Sequence, residues 1–202
     1  LTLANVLASA TASAFRLGLC ADDCWHVPLP MYHMGGLAPV YRSALYGTAL
    51  SVQREFDPEG TLSALSAADA SAVSLVPTML DRLLDAGSIP DLRFVLLGGA
   101  PCPAELMSRA HDRGVPVAPT YGMTETASGI ATARPEEARN VPEAVGNPLM
   151  FAEITVVDGA GGVCETGEPG ELVVSGPMVS PGYLDDETTE RRFDGLGLRT
   201  GD

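Results

Sequence analysis

The sequence predicts an α/β fold: a mostly parallel, doubly wound sheet with helices on both faces, followed by a smaller β-rich, barrel-like subdomain. Three observations carry this prediction. In the first two thirds of the chain, stretches of helical period alternate with short strands. Several of these strands, such as Phe94–Leu97, are continuously apolar, which is typical of strands buried on both faces. After about residue 145, short strands punctuated by Gly and Pro replace the helices, so we divide the chain into 1–145 and 146–202.

The helix ends are marked by capping residues. Thr2 is a good N-cap for the first helix and Gly18 ends it, while Pro58 and Glu59 suit the first turn of a later helix. The elements predicted for the first part are helix 3–17, strand 25–29, helix 36–46, strand 49–52, helix 57–67, strand 72–76, helix 77–86, strand 93–97, helix 103–113 and strand 115–118. In the second part, the alternating segment 152–158, a turn at 159–162 and strand 171–175 predict an antiparallel sheet.

The charge of the chain excludes several classes of partner. The 26 acidic residues outnumber 12 basic ones, all of them Arg, which gives a net charge of −14. Such a surface repels nucleic acids and anionic lipid, and no apolar run is long enough for membrane insertion. We interpret the lysine-free, acidic composition as adaptation to a high-salt cytoplasm, with an ordinary acidic cytoplasmic protein as the alternative.

The chain ends and the cysteines bear on the cellular context. The first residues carry neither an initiator Met nor a signal-peptide pattern, and no closing element precedes the last residue, so we expect an internal piece of a longer cytoplasmic protein. Four cysteines lack metal-ligand spacing and are interpreted as free thiols: Cys20, Cys24, Cys102 and Cys164. The sequence leaves the assembly open between a monomer and a homodimer.

A turn of small residues follows the strand at 93–97. It consists of Gly98, Gly99, Ala100 and Pro101. In a doubly wound sheet, ligands bind beyond the carboxyl ends of the strands, and small residues let a flat ligand approach the backbone closely. Taken alone, such a glycine pair is more often only a turn.

Segment 120–126 combines three kinds of ligand-binding group with a flexible glycine. Tyr121 offers an aromatic face for a nucleobase, Gly122 offers flexibility, Thr124 offers a hydroxyl for phosphate, and Glu125 offers a carboxylate for Mg²⁺. The alternative is a loop whose Thr and Glu cap a following helix.

The run Tyr-Gly-Met-Thr-Glu-Thr at 121–126 resembles the signature of the adenylate-forming superfamily, which includes acyl-CoA synthetases, luciferases and peptide-synthetase adenylation domains. Four further segments occur in the order of that family. They resemble the acyl-pocket segment (30–37), the adenine-flanking turn (97–101), the β-subdomain motif (170–183) and the ribose-binding motif (198–202).

The resemblance implies ATP or AMP, Mg²⁺ and coenzyme A as ligands, together with a small carboxylic acid. It implies that Tyr121 stacks on adenine, that Thr124 contacts phosphates and that Glu125 holds the metal. Asp202 is expected to bind the ribose hydroxyls, and His33 to lie where the acyl group and the thiol meet. A packed histidine at a helix start is the alternative for His33. The other implied nucleotide contacts are Gly98, Gly99, Ala100, Pro101, Gly122 and Met123; the implied catalytic residues are His33, Thr124 and Glu125.

Two parts of the family pattern are expected outside this sequence. The Ser/Thr/Gly-rich phosphate loop is expected before Leu1, and the C-terminal lid domain with its catalytic Lys after Asp202. We therefore expect the 202 residues alone to be catalytically inactive.

Within the superfamily, segments 22–25, 42–47, 56–59 and 121–128 resemble the o-succinylbenzoate–CoA ligase family of menaquinone biosynthesis. That substrate is an aromatic ketone with two carboxylates, which calls for a cation or several donors at the far end of the pocket. Arg42 is the candidate cation and Ser128 a candidate donor, with a structural salt bridge as the alternative for Arg42. Gly35 departs from the resemblance, because Ser is expected there in the ligase pattern.

Other function classes stay open at this stage. Another aryl or medium-chain acyl-CoA synthetase is the first alternative. A non-catalytic nucleotide-binding relative is the second, although Thr124, Glu125 and Asp202 are all present. An oxidoreductase is disfavoured, because no G-x-G-x-x-G run follows a strand.

Overall fold

A computed structural model describes residues 1–202 of the chain. It contains seven α-helices: α1 (Leu3–Leu17), α2 (Met34–Tyr46), α3 (Pro58–Ala67), α4 (Pro77–Ala86), α5 (Ala104–Asp112), α6 (Pro135–Asn140) and α7 (Asp186–Arg192). The strands are β1 (Cys24–Val27), β2 (Ala49–Val52), β3 (Ala72–Leu75), β4 (Phe94–Leu97), β5 (Val117–Met123), β6 (Ser128–Thr132), β7 (Asn147–Pro148), β8 (Glu153–Val157), β9 (Glu171–Ser175) and β10 (Leu198–Arg199).

Two sheets organise the chain, as the sequence predicts. The larger has seven strands in the order β2-β1-β3-β4-β5-β6-β7, with its first five strands parallel. The smaller is antiparallel, in the order β10-β9-β8. The parallel strands place their carboxyl ends at one edge of the larger sheet, where the candidate residues cluster.

The main core lies between the larger sheet and the helices α3, α4 and α5. It contains 18 buried residues, among them Val73 and Leu75 of β3 and Leu80 and Leu83 of α4. A second cluster, which includes Trp25, covers the opposite face of the sheet. Truncating a leucine of the main core to Ala should cost about 2–5 kcal/mol of stability.

The predicted helix ends are confirmed at the caps. Thr2 and Asn5 form a reciprocal capping box at α1, which ends at Gly18. At α3, the Asp57 carboxylate accepts a 2.6 Å hydrogen bond from the backbone N–H of Gly60. Each cap satisfies amide groups that have no partner within the helix.

The interpretation of 120–126 as a loop is wrong for its first part. Strand β5 continues to Met123 and pairs antiparallel with β6, with an irregularity between Tyr121 and Gly122, before the 3₁₀ turn Thr124–Thr126. Strand β6 was not predicted from the sequence, because Gly129 interrupts its apolar pattern.

Four other short elements were not predicted: α6, β7, α7 and β10. Strand β7 lies beyond residue 145 yet pairs with β6 of the larger sheet, so the second sheet begins only at Glu153. Apart from β5, the predicted elements agree with the structure to within about two residues.

None of the helices combines the length and the apolar character needed to cross a bilayer.

Candidate functional site

A cavity of about 410 Å³ opens at the carboxyl ends of β1, β3, β4 and β5. Its wall brings together segments that are distant in the sequence. The predicted site residues that line it are His33, Gly35, Arg42, Gly98, Gly99, Gly122, Met123, Thr124 and Ser128. The position agrees with the rule that ligands of doubly wound sheets bind beyond the carboxyl ends of the strands.

Glycines let backbone groups form part of this wall. A Cβ at Gly122 would lie 2.1 Å from the carbonyl oxygen of Ser128, and one at Gly98 would lie 2.8 Å from Cγ2 of Thr120. Gly99 has φ +81°, a conformation that L side chains rarely adopt. A larger residue at any of the three positions would push the strand ends apart or strain the turn.

Arg42 supplies a cation to the cavity wall. The residue is 1% exposed, and its Nε and Nη1 have no hydrogen-bond partner. Its guanidinium carbon lies 5.6 Å from the ring centroid of Trp25, a cation–π contact. The salt bridge that was the alternative for Arg42 is not formed. A buried cation without an anion is costly.

His33 lies at the mouth of the same cavity. It occupies the N-cap position of α2 without a side-chain capping bond, and its exposed ring lies 4.6 Å from the ring of Tyr32. The alternative of a packed histidine is therefore wrong. Gly35, in the first turn of α2, contributes only backbone to the wall.

The turn between the 3₁₀ segment and β6 is strained and firmly held. Ala127 has φ +52° and Ser128 has φ +114°. The carbonyl of Ala127 accepts hydrogen bonds from Ser9 Oγ at 2.9 Å and from the Tyr41 hydroxyl at 2.7 Å. Thr126 Oγ1 donates to the carbonyl of Ser128 at 2.6 Å. Non-glycine residues keep such conformations only where the surroundings fix them, and here the Ser128 hydroxyl is left unbonded beside the cavity.

Tyr121 and Asp202 meet beside the cavity. The Tyr121 hydroxyl donates to Asp202 Oδ2 at 2.6 Å. Burial, reinforced by the hydrogen bond to this carboxylate, raises the pKa of Tyr121 to about 12. The phenol therefore stays protonated and remains a donor at neutral pH.

Glu125 is held by the segment that follows β9. The Tyr183 hydroxyl donates to Glu125 Oε1 at 2.6 Å, and the backbone N–H of Ser180 donates to the carbonyl of Glu125, also at 2.6 Å. Burial and the carboxylate raise the pKa of Tyr183. Oε2 of Glu125 accepts no hydrogen bond from the protein, and the neighbouring Thr124 is exposed.

The single carboxylate of Glu125 fits one mode of magnesium binding. No group of three or more His, Cys, Asp or Glu side chains could form an all-protein metal site. Mg²⁺ typically takes one or two carboxylates and completes its shell with water and nucleotide phosphates. A free Oε2 beside an exposed Thr hydroxyl matches that requirement.

Ala100 and Pro101 do not line the main cavity. They border a neighbouring cavity of about 610 Å³, which shares Val76 and Gly99 with the first. The predicted small-residue turn is thus divided between two faces, with Gly98 on the side of Arg42 and Ala100 on the other.

Comparison with known proteins decides the family. Residues 1–184 match the AMP-binding enzyme family, which is most of the chain. The chain belongs to the AMP-binding enzyme family. The resemblance inferred from the five motifs is therefore confirmed.

Relatives with known names show which enzymes of the family this chain is similar to. The 2-succinylbenzoate–CoA ligase of Bacillus pumilus is 37% identical over 204 residues, covering 100% of this chain and 42% of the relative. The o-succinylbenzoate coenzyme A synthetase of Bacillus subtilis, solved with the acyl-adenylate intermediate OSB-AMP, matches with a TM-score of 0.95 at 35% identity. The same enzyme, solved with ATP and a magnesium ion, gives a TM-score of 0.94 at 35% identity.

The chain spans about two fifths of the length of these relatives. The two structural matches cover 100% of this chain and 42% and 43% of the respective solved chains. The α/β architecture with its added antiparallel sheet is that of the family.

Sequence reasoning missed two residues of this candidate site. Ser74, in the middle of buried strand β3, lines the cavity and accepts a 3.0 Å hydrogen bond from Trp25 Nε1. A single Ser within an otherwise apolar strand gives no sign in the sequence that it lines a cavity. Tyr183 lies in the segment 170–183 that resembles the β-subdomain motif, but its contact with Glu125 spans 58 residues and could not be inferred from spacing.

Proposed function

We propose that the protein to which this chain belongs is an ATP-dependent acid–CoA ligase that activates o-succinylbenzoate. One observation carries the choice of acid: the cavity that contains His33 and the glycine-lined wall also contains the buried, unpartnered guanidinium of Arg42. A monocarboxylic acid uses its only carboxylate for activation, whereas a diacid keeps a second one for Arg42. The names of the relatives support the same acid.

The nucleotide contacts in this proposal are those that the family resemblance implies. Tyr121 stacks on adenine beside the Gly98–Pro101 turn, and Asp202 accepts hydrogen bonds from the ribose hydroxyls. Thr124 contacts the phosphates. Gly122 and Met123 complete the wall between base and phosphates.

In the first half of the reaction, an oxygen of the carboxylate attacks the α-phosphorus of ATP. The bond to the β-phosphate breaks, and pyrophosphate leaves with an acyl-adenylate bound. The residues of this chain orient the two reactants, which lowers the entropic part of the barrier. Mg²⁺ held at Glu125 supplies charge that offsets the repulsion between carboxylate and phosphates.

In the second half, the thiol of coenzyme A loses its proton, its sulfur attacks the acyl carbon, and the bond to AMP breaks, so that the thioester forms and AMP leaves. His33, exposed at the mouth of the cavity, lies where acyl group and thiol are expected to meet. Arg42 and Ser128 hold the second carboxylate and the ring, which keeps the acyl group in place through both halves.

The second candidate is another aryl or medium-chain acyl-CoA synthetase. Gly35 favours it, because this position adds no hydroxyl to the pocket. The two candidates differ in the partner of Arg42: the diacid provides a second carboxylate for it, whereas a monocarboxylic acid does not.

Measuring pyrophosphate release by the full-length gene product tests the proposal. We expect o-succinylbenzoate to give a higher kcat/KM than benzoates or medium-chain fatty acids, with CoA thioester as the final product. Release with fatty acids but not with the diacid would support the second candidate. No release with any acid would refute the ligase function.

We infer that the enzyme is cytoplasmic, because its substrates ATP and coenzyme A are present in the cytoplasm. We also infer that this cytoplasm has a high salt concentration, because the chain has 26 acidic residues and only 12 Arg. The sequence leaves a monomer and a homodimer open, and sedimentation of the full-length protein at working salt concentration distinguishes the two.

A further inference from the structure

Glu125 is held at both ends by one segment of the β-rich subdomain. Its carboxylate receives the Tyr183 hydroxyl, and its carbonyl receives the backbone N–H of Ser180, each at 2.6 Å. Both bonds join the strand-ending turn of the larger sheet to the loop between β9 and α7. The orientation of the Glu125 side chain is therefore coupled to that loop.

Tyr183 is itself fixed in place. Its backbone N–H donates to Thr189 Oγ1 at 2.8 Å, and its ring packs edge-to-face on Phe193 with centroids 6.3 Å apart. The preceding Gly182 has φ +151°, and a Cβ there would lie 2.7 Å from Cγ2 of Thr189. The hydroxyl is thus a donor whose position is set before any ligand binds.

The hydrogen bond from Tyr183 makes the two carboxylate oxygens of Glu125 different from each other. Oε1 is occupied by Tyr183, and Oε2 has no protein donor. A freely rotating Glu would lose side-chain entropy on binding a metal. Mg²⁺ demands nearly ideal octahedral geometry, so a carboxylate oxygen held at one position favours its binding.

We propose that Tyr183 is a positioning residue, whose hydroxyl holds Glu125 so that Oε2 faces the magnesium–nucleotide complex. This inference rests on the proposed role of Glu125 in metal binding. It assigns Tyr183 no contact with the metal or the nucleotide.

The test compares Tyr183→Phe with the wild type in the full-length gene product. Phe keeps the ring that packs on Phe193 and removes only the hydroxyl. The matched control is Tyr46→Phe, which loses a half-buried hydroxyl that donates to the carbonyl of Ala10, away from Glu125. Metal binding is read by electron paramagnetic resonance of Mn²⁺, with α,β-methylene-ATP as a nucleotide that cannot react.

We expect Tyr183→Phe to weaken Mn²⁺ binding in the ternary complex by about three- to tenfold, because a hydrogen bond to a charged group is lost. Binding of the nucleotide without metal should be unchanged. Tyr46→Phe should leave both constants at the wild-type value. A Tyr183→Phe protein with wild-type Mn²⁺ affinity would overturn the proposal.

A double-mutant cycle separates positioning from general destabilisation. In a Glu125→Gln background, adding Tyr183→Phe should not weaken Mn²⁺ binding further, because the residue acts through the carboxylate. An equal loss in both backgrounds would mean that Tyr183 acts elsewhere. If the wild type binds Mn²⁺ with the nucleotide but Glu125→Gln binds it equally well, the metal role of Glu125 itself fails, and the positioning role with it.

Discussion

The hydroxyl of Tyr121 donates a 2.6 Å hydrogen bond to Asp202 Oδ2, across 81 residues of sequence. A second hydrogen bond of the same kind runs from the Tyr183 hydroxyl to the carboxylate of Glu125. In each, a tyrosine hydroxyl from one segment donates a hydrogen bond to a carboxylate of a segment that is distant in the sequence. The residues proposed for adenine and ribose are therefore linked before a nucleotide binds.

Changing Tyr121 to Phe should weaken AMP binding by about three- to tenfold, because Asp202 loses the donor that orients it while the ring remains to stack. Calorimetry on the full-length protein measures the change, with Tyr46→Phe as the control. Since the pKa of Tyr121 is raised to about 12, its bond should persist, and wild-type AMP affinity should be flat between about pH 7 and 9. An unchanged Kd in Tyr121→Phe would contradict this role.

Changing Glu125 to Gln should raise the Mg²⁺ concentration for half-maximal pyrophosphate release by at least about tenfold, because the amide keeps the shape but loses the charge. The matched control is Glu143→Gln, which removes an exposed carboxylate in the loop after α6. Equal Mg²⁺ dependence in both variants would leave Glu125 only a structural role.

Stability should increase with KCl over the molar range. Salt screens the repulsion among 26 carboxylates that only 12 Arg oppose. The melting temperature of the protein, measured by calorimetry, should rise steadily with KCl. A melting temperature that is flat or falls from low to molar KCl would reject adaptation to high salt.

The 202 residues alone should release no pyrophosphate. Reaction at the α-phosphorus needs the β- and γ-phosphates held and the developing charge stabilised. This chain has no Lys for the second task, and the broad fork of Arg is a poor substitute. The residues proposed for adenine and ribose are present, so weak AMP binding is expected by calorimetry. Turnover by the purified 202-residue chain would contradict the assignment of these tasks to other segments.

Local signals in the sequence predicted the scaffold well. The start of α1 was visible as the N-cap Thr2, the start of α3 as Pro58 and Glu59, and the buried strand β4 as a continuous apolar run. Strand β6 was hidden because Gly129 breaks its pattern, and its pairing with β5 depends on a turn with two unusual φ values. Such a turn is stable only through distant partners, which local sequence does not reveal.

The site was predicted in part, for a similar reason. Motif residues identified Tyr121, Glu125 and Asp202, whereas the partner of each carboxylate depends on how the two sheets meet. That Arg42 lacks an anion could not be read from the sequence, since a salt bridge was equally compatible with its position. Only the folded structure shows which side chains surround Arg42 and that none of them is an anionic partner.

The proposed contact between Arg42 and a second substrate carboxylate predicts a substrate preference that steady-state kinetics can check. In Arg42→Met of the full-length protein, kcat/KM should be compared for o-succinylbenzoate and for its two monoacid analogues, each lacking one carboxylate. The wild type should prefer the diacid, and the variant should lose about 10- to 100-fold on the diacid with little change on the better monoacid. Its melting temperature should stay the same or rise, because a buried unpaired cation is removed. An unchanged diacid preference in a folded Arg42→Met protein would contradict the account.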